Sequence, residues 1–271
     1  MSTPEARSDV RLLAHAGHLR LGRLVVLWDD NGISIDGSTS LTTSTDQPAR
    51  FAAAGWHTVS IDGHDRDAIH SALAAAESDP RPSLIACRTT IGHGSPNMAG
   101  TAAMHGSPLG ADEIAATRAH LEWRYGPFEV PDEAREPWRA AGRRGTTARL
   151  EWQRRCSTAD TELLASFQRG NAWTPEAEAA LAGVTARFLA EQPVLATRQS
   201  SQQVLEALAA ALPTLVGGSA DLTGSNGTRA SAQLAVTADD FSGSYVHWGV
   251  REHAMAAAMN GIALHGGFRP Y

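Results

Sequence analysis

The segment between Leu24 and Thr90 constrains the fold of this chain most. Leu24-Val25-Val26-Leu27-Trp28 is an unbroken apolar run that halts at Asp29-Asp30-Asn31-Gly32, which reads as a buried strand ending in a loop. Strands buried on both faces belong mostly to parallel sheets. A second short stretch follows near Gly55 to Val59. A helical stripe of Ile69, Ala72, Leu73 and Ala76 comes next, after an Asp62-Gly63-His64-Asp65 start, and then a further strand from Ser83 to Thr90. Strand, helix and strand joined by short connections predict a right-handed crossover unit of a doubly wound α/β domain.

The stretch from Gly92 to Gly110 holds five glycines and two prolines and no apolar period, so it reads as a long, flexible loop after a strand end. That is the usual address of a site in an α/β fold. A helix is expected from Ala111 to about Trp123. Pro127, Pro131 and Pro137, followed by the basic run Arg139 to Arg155, then mark a connection over about 126–173 with some helix. Thr174-Pro175-Glu176 has a capping hydroxyl followed by proline in the first turn, and Leu181, Val184 and Phe188 continue it as a helical stripe. The next helix carries Val204, Leu205, Leu208 and Leu212 and stops at Pro213. A strand at Leu215-Val216-Gly217-Gly218 and a small-residue helix from Arg251 to about His265, closed by Gly266-Gly267, begin a second α/β unit. The expected division is 1–125, a helical linker at 126–190, and 191–271.

Composition removes several classes of function. At 271 residues with 42% hydrophobic and 19% charged side chains, the chain can bury a core and is not disordered throughout. A net charge of −6 speaks against a nucleic-acid footprint while leaving room for a local basic pocket. Two cysteines, Cys87 and Cys156, can build neither a zinc cage nor a disulfide framework. No cationic stretch followed by an apolar one opens the sequence, and no uncharged apolar run approaches the roughly 18–20 residues of a membrane span. A soluble cytoplasmic protein, bound to neither membrane nor nucleic acid, is expected.

Four segments concentrate groups capable of chemistry. In DDNGISIDG, the Asn31 amide oxygen and the Ile33 carbonyl are oxygen donors suited to a hard cation, although a turn cornered on Asn31-Gly32 explains the same residues. In GHGSPNMAGTAAMHGSPLG, His93 and His105 sit in a loop able to close over an anion, or are incidental to it. In GGSADLTGSN, Ser225 and amides near Gly224 are candidate phosphate donors with Arg198 as a bidentate partner, and an ordinary strand-to-loop turn accounts for them equally. In HWGVREHAM, Glu252 stands at a helix start among apolar neighbours. Burial there would raise its pKa and let it exchange a proton, unless it only complements the helix dipole.

Taken together, DDNGISIDG, DGHD, IGHGSPNMAGT, HGSPLG, GGSADL and HWGVREHAM followed by NGIALHGGFRPY resemble the transketolase family in content, order and spacing. The resemblance runs from about Ala16 to Tyr271 and is weak from about Arg135 to Thr174. It implies parts of two parallel-sheet thiamine-diphosphate-binding domains joined by a partly helical linker. The implied activity, that of a glycolaldehydetransferase, moves a two-carbon ketol unit from a ketose phosphate to an aldose phosphate in the pentose phosphate pathway.

By the same resemblance, Asn31 and Ile33 bind the Mg²⁺ (or Ca²⁺) that clamps the cofactor diphosphate. His105 lies near the diphosphate and substrate, Arg198 and Ser225 hold the substrate phosphate, and Asp221 has a packing role or one near the cofactor ring. Glu252 is the key acid, hydrogen bonded to the aminopyrimidine of thiamine diphosphate. A homodimer is implied, with Asn31 of one subunit and Glu252 of the other serving one site. The chain also departs from the family pattern. It resembles an internal fragment without the upstream GDG region that supplies a carboxylate cation ligand, and MSTPEARSDV stands in that region's place. It stops at GGFRPY inside the pyrimidine domain. Met98 replaces a commonly basic residue, and Ala102-Ala103-Met104 a more polar stretch. The expected protein is therefore a transketolase-family chain that is inactive alone. The alternatives are one chain of a split enzyme completed by a complementing chain, or a non-catalytic interaction protein.

Overall fold

The computed structural model describes residues 7–170 and 172–271. The substitution of MSTPEARSDV for an upstream region therefore falls mostly outside the described residues. In chain order, the first half contains α1 (Arg7–His18), β1 (Val25–Asp30), a small hairpin of β2 (Ile33–Ser34) and β3 (Gly37–Ser38), and α2 (Gln47–Ala53). It continues with β4 (His57–Asp62), α3 (Arg66–Ser78), β5 (Ser83–Arg88) and α4 (Ala111–His120). Three helices follow, α5 (Asp132–Arg144), α6 (Thr146–Thr158) and α7 (Thr161–Arg169). The remainder is α8 (Pro175–Glu191), α9 (Thr197–Ala211), β6 (Leu215–Ser219), α10 (Thr223–Asn226), β7 (Tyr245–His247), α11 (Glu252–His265) and β8 (Arg269–Pro270). None of the helices among the described residues is long and apolar enough to cross a membrane.

The chain packs as two compact units. One comprises Gly22–Asp79 and Ser83–Asp160, and the other comprises the chain up to Leu21, Pro80–Pro82 and Thr161–Tyr271. By packing, α1 groups with the C-terminal part.

The unit built on Gly22–Asp79 and Ser83–Asp160 carries a parallel sheet in the order β1-β5-β4. The expected strand-helix-strand unit is β4-α3-β5. Asp65 caps α3 by accepting the N–H groups of Asp67 and Ala68, so the helix begins where the DGHD segment ends. Period-two alternation then aims Ile85 and Cys87 at Ala72 and Ala76, with Val25, Val59 and Ile61 packed around them. Phe51 of α2 meets the buried Trp56 edge to face at 5.0 Å. Only β5 is buried along nearly its whole length. The expectation that the Leu24–Trp28 run is buried is corrected, because β1 is an edge strand and Leu27 is 50% exposed. The prolines near 130 are also not all breaks: Pro137 lies inside α5, while Pro131 is its N-cap.

In the other unit, β7-β6-β8 form a second parallel sheet. Its core joins Ala177, Leu205, Leu212, Leu215 and Ala230, with Leu208, Ala209 and Tyr271 against them. Thr174 caps α8 by accepting the Ala177 N–H, with Pro175 in the first turn, as the sequence predicts. Gly266 ends α11 at φ 84°, in the left-handed region that glycine adopts without strain. Gly218 is needed for space, since a Cβ there would lie 2.0 Å from the Val246 carbonyl oxygen of the neighbouring strand. Tyr245 is fully buried with its hydroxyl 2.7 Å from Thr223 Oγ1, and the Tyr271 hydroxyl donates to the Thr228 carbonyl at 2.8 Å.

Candidate functional site

Each unit holds one cleft rich in polar side chains. The first lies at the C-terminal ends of β1, β4 and β5, where parallel sheets commonly bind ligands. It encloses about 660 Å³ and is lined by residues that include Asn31, Asp62, His64, Arg88 and Thr90. The Asn31 Oδ1 accepts the Ile33 N–H at 3.0 Å, and Gly32 between them sits at φ 70°. Thr39 N–H then donates to the Gly32 carbonyl at 2.9 Å, closing the turn over the β2–β3 hairpin. The turn reading of DDNGISIDG holds, and the turn places Asn31 at a cleft.

Charge and hydrogen bonding fix the rest of this cleft. Arg88 pairs with Asp30 at 3.2 Å, and the Thr89 hydroxyl donates to the Asp29 carboxylate. His64 Nε2 accepts the Thr90 N–H at 3.0 Å, so its ring proton resides on Nδ1 in the neutral form, and its ring stacks on His93 at 3.9 Å. The sequence marks His93 as a loop residue able to close over an anion, and it gives His64 no role. The signal was the position of DGHD directly after a strand end.

Among the described residues, no three His, Cys, Asp or Glu side chains converge as a metal-ligating group. Asn31 Oδ1 and the Ile33 carbonyl match the oxygen preference of Mg²⁺ or Ca²⁺, but both are neutral. They fit a hard cation in kind and supply it no charge.

The loop after β5 is anchored rather than flexible as expected. Glu113 of α4 accepts the Asn97 N–H at 3.0 Å and the Asn97 side-chain amide at 2.9 Å, and it also accepts the Ser95 hydroxyl. These bonds hold the Glu113 carboxyl below the usual range for a glutamate. Met98 N–H donates to Ser95 Oγ at 3.3 Å, and Gly92 and Gly94 take positive φ against Met104 and Leu121. His105 is half-buried just after a short 3-10 turn and does not line the cleft that holds Asn31.

The second cleft, about 480 Å³, is lined by His15, His18, Asp221, His247 and Arg251, together with Ser219, Thr223 and two glycines, Gly224 and Gly249. Asp221 is exposed at φ 68°, in a loop that begins with Leu222 N–H donating to Ser219 Oγ at 3.0 Å. Arg198 and Ser225 are exposed on α9 and α10, which pack together, and neither lines this cleft. Glu252 is the first residue of α11 and is solvent-exposed. The expected burial of Glu252 is therefore corrected. Its neighbours on that side are open, as Val250 at 64% exposure shows.

Comparison with known proteins adds to this geometry. Residues 9–170 match the family description "Transketolase, thiamine diphosphate binding domain", and residues 193–271 match "Transketolase, pyrimidine binding domain". The chain belongs to the transketolase family. It is 53% identical over 256 residues to the transketolase of Cereibacter sphaeroides, covering 94% of this chain and 39% of that protein. It is 49% identical over 262 residues to transketolase 2 of Vibrio parahaemolyticus, with the same coverage. The fold matches the crystal structure of Pichia stipitis transketolase in complex with sedoheptulose 7-phosphate at a TM-score of 0.85. That match has 34% identity and covers 98% of this chain and 41% of that one. Transketolase from Leishmania mexicana matches at a TM-score of 0.83 and 32% identity, covering 98% and 40%. This transketolase-family chain thus spans about two fifths of the length of the curated relatives it matches. The expected α/β class with parallel sheets holds, and the two matched domain types are the thiamine-diphosphate-binding pair.

Proposed function

We propose that this chain carries part of the ketol-transfer machinery of a transketolase, acting between a ketose phosphate and an aldose phosphate, and that it does not turn over alone. The reading is supported by the two cofactor-binding domain types along one chain and by the Asn31–Ile33 oxygen pair at the C-terminal edge of a parallel sheet. Thiamine diphosphate, when bound, supplies the nucleophilic carbon and the electron sink that breaking a carbon–carbon bond beside a carbonyl requires.

The chain's own residues then have definite tasks. Asn31 Oδ1 and the Ile33 carbonyl hold the divalent cation. Arg198 and Ser225 grip the substrate phosphate, and His105 donates hydrogen bonds to the substrate's polar groups. Asp221 orients the cofactor ring. Glu252 would hydrogen-bond the aminopyrimidine ring of the cofactor.

Two observations support inactivity of the isolated chain. A cation held by two neutral oxygens lacks the carboxylate that gives such sites most of their affinity. Glu252 is also exposed at the start of α11, without the cover that a carboxyl facing a bound cofactor ring needs. Apposition of a second copy in a homodimer covers Glu252 alone, and a complementing transketolase chain also brings a carboxylate to the cation. Large exposed apolar side chains favour such a partner. Leu27 on β1 is 50% exposed and Leu264 on α11 is 88% exposed. The free thiols Cys87 and Cys156 accord with a cytoplasmic setting.

The test is ketol transfer from xylulose 5-phosphate to ribose 5-phosphate by the purified chain with thiamine diphosphate and Mg²⁺. No turnover above background is expected. Turnover that disappears in Glu252→Gln would show a complete site in the chain alone and overturn the reading.

A further inference from the structure

The cleft in the second unit contains a group that the ketol-transfer reading does not use. His15 of α1 is 5% exposed, and its Nε2 has no hydrogen-bond partner among the described residues. Its ring packs on the buried Trp248 at 4.8 Å and lies 6.2 Å from His18. A buried ring nitrogen without a partner is costly, so it marks a place where a polar atom belongs.

The groups around it are mostly nitrogen donors. His18 is the other titratable side chain on the same turn of α1. Arg251 comes from the start of α11, which packs against α1, and is followed there by exposed Glu252 and His253. His247 comes from the end of β7, and Asp221 at the rim is the one carboxylate among the lining residues. Arg251 Nη1 donates to the Trp248 carbonyl at 2.9 Å, which fixes the guanidinium on the same short segment that covers His15. The hydroxyls of Ser219 and Thr223 complete a wall of hydrogen-bond donors.

We propose that this cleft is an oxyanion-binding site in which Arg251 and doubly protonated His15 hold a phosphate- or carboxylate-bearing small molecule. Without the anion, burial first, then the positive charge of Arg251 and of His18, pull the His15 pKa down to about 4. An anion between Arg251 and His15 reverses the electrostatic part of that balance, so it binds together with a proton. Proton uptake makes the affinity rise as pH falls, by up to about tenfold per pH unit while one full proton is taken up. The inference is independent of ketol transfer and of the cation at Asn31. Asp221 is the one residue it shares with the proposed cofactor set.

Inorganic phosphate is the probe, titrated into the whole chain without cofactor or Mg²⁺ and followed by calorimetry and by nitrogen chemical shifts of ¹⁵N-histidine-labelled protein. Saturable binding is expected, tighter by about tenfold or more at pH 5.5 than at pH 7.5, with His15 titrating at higher pH when phosphate is present. Arg251→Gln should abolish it. His15→Gln, which preserves polarity and similar volume, should leave weaker binding without the pH dependence. Arg198→Gln should leave it unchanged, which separates this site from the substrate-phosphate role proposed for Arg198 and Ser225. Absence of binding by a folded chain, binding indifferent to pH, or binding lost in Arg198→Gln but not in His15→Gln or Arg251→Gln would overturn the inference.

Discussion

Asn31 Oδ1 accepts the backbone N–H of Ile33 at 3.0 Å, so one side-chain oxygen both builds the turn after β1 and faces the cleft at the sheet's C-terminal edge. A carbonyl oxygen has two lone pairs, and the turn occupies one of them. The other is the one that the proposed cation would use. Asn31→Ala removes both uses and is expected to lower stability by about 1 kcal/mol, the worth of one such hydrogen bond. Asn31→Asp keeps the turn and adds the missing negative charge. It should bind Mg²⁺ more tightly than the parent in a calorimetric titration, and equal or weaker binding would remove Asn31 from the cation site.

His15 sets a pH dependence of stability. Its pKa is about 4 folded against 6.5 as an ordinary histidine, so between those values the unfolded chain binds more protons. Stability contributed by the neutral ring is therefore complete above about pH 6.5 and is lost as pH falls toward 4. A shift of this size corresponds to about 3 kcal/mol. Urea unfolding at pH 7 and pH 4.5 should show the loss in the parent and a smaller one in His15→Leu. Identical slopes in the two proteins would deny that His15 is held neutral by the fold.

Glu113 anchors the long loop by accepting from Ser95 and Asn97. Its depressed pKa means that this tie is present above the unfolded carboxyl value and fails as pH drops through the lower folded one. Glu113→Ala should speed amide exchange at Asn97 and Met98 and open the segment 92–110 to proteolysis at neutral pH. Acidification should do the same to the parent. Unchanged exchange at Asn97 in the variant would mean the loop is held by other contacts.

Gly218 leaves no room for a side chain, with a methyl group landing 2.0 Å from the Val246 carbonyl and 2.8 Å from the Trp248 indole nitrogen. Gly218→Ala forces β6 and β7 apart. It should cost roughly 1–3 kcal/mol, at the upper end because backbone rather than a flexible side chain must yield. Thermal melting of the two proteins checks this, and an unshifted midpoint would contradict the close approach.

Much of the fold was legible because its signals are local. The Asp65 cap starts α3, Thr174-Pro175 starts α8 and Gly266 ends α11, each within a few residues of where the pattern places it. The apolar run at Leu24 announced β1 correctly but not its exposure, since whether a strand lies at an edge depends on pairing with β5 far along the chain. Tyr245–His247 and Arg269–Pro270 are too short to show a period and become strands only by pairing with β6. Pro137 misled because an exposed helix can carry a proline and forgo one backbone hydrogen bond.

The same distinction governs the sites. Asn31 and Ile33 are two residues apart, so their joint geometry is written in the local sequence. The His15, His247 and Arg251 cleft joins α1 to the segment from β7 to the start of α11, more than two hundred residues further on, and no spacing rule connects the two. Glu252 was expected to be buried from its apolar neighbours in sequence. Trp248 and Ala254 are indeed buried, but Glu252 and Val250 lie on the exposed side of the same segment.

The central claim is that this transketolase-family chain holds the cofactor-binding framework without a complete cation site. The most direct measurement is a calorimetric titration of the folded chain, its oligomeric state checked, with thiamine diphosphate in the presence and absence of Mg²⁺. The account predicts no tight saturable binding in either case, with at most a weak Mg²⁺-dependent signal that vanishes in Asn31→Ala. Tight, saturable, Mg²⁺-dependent binding by the chain alone would contradict it.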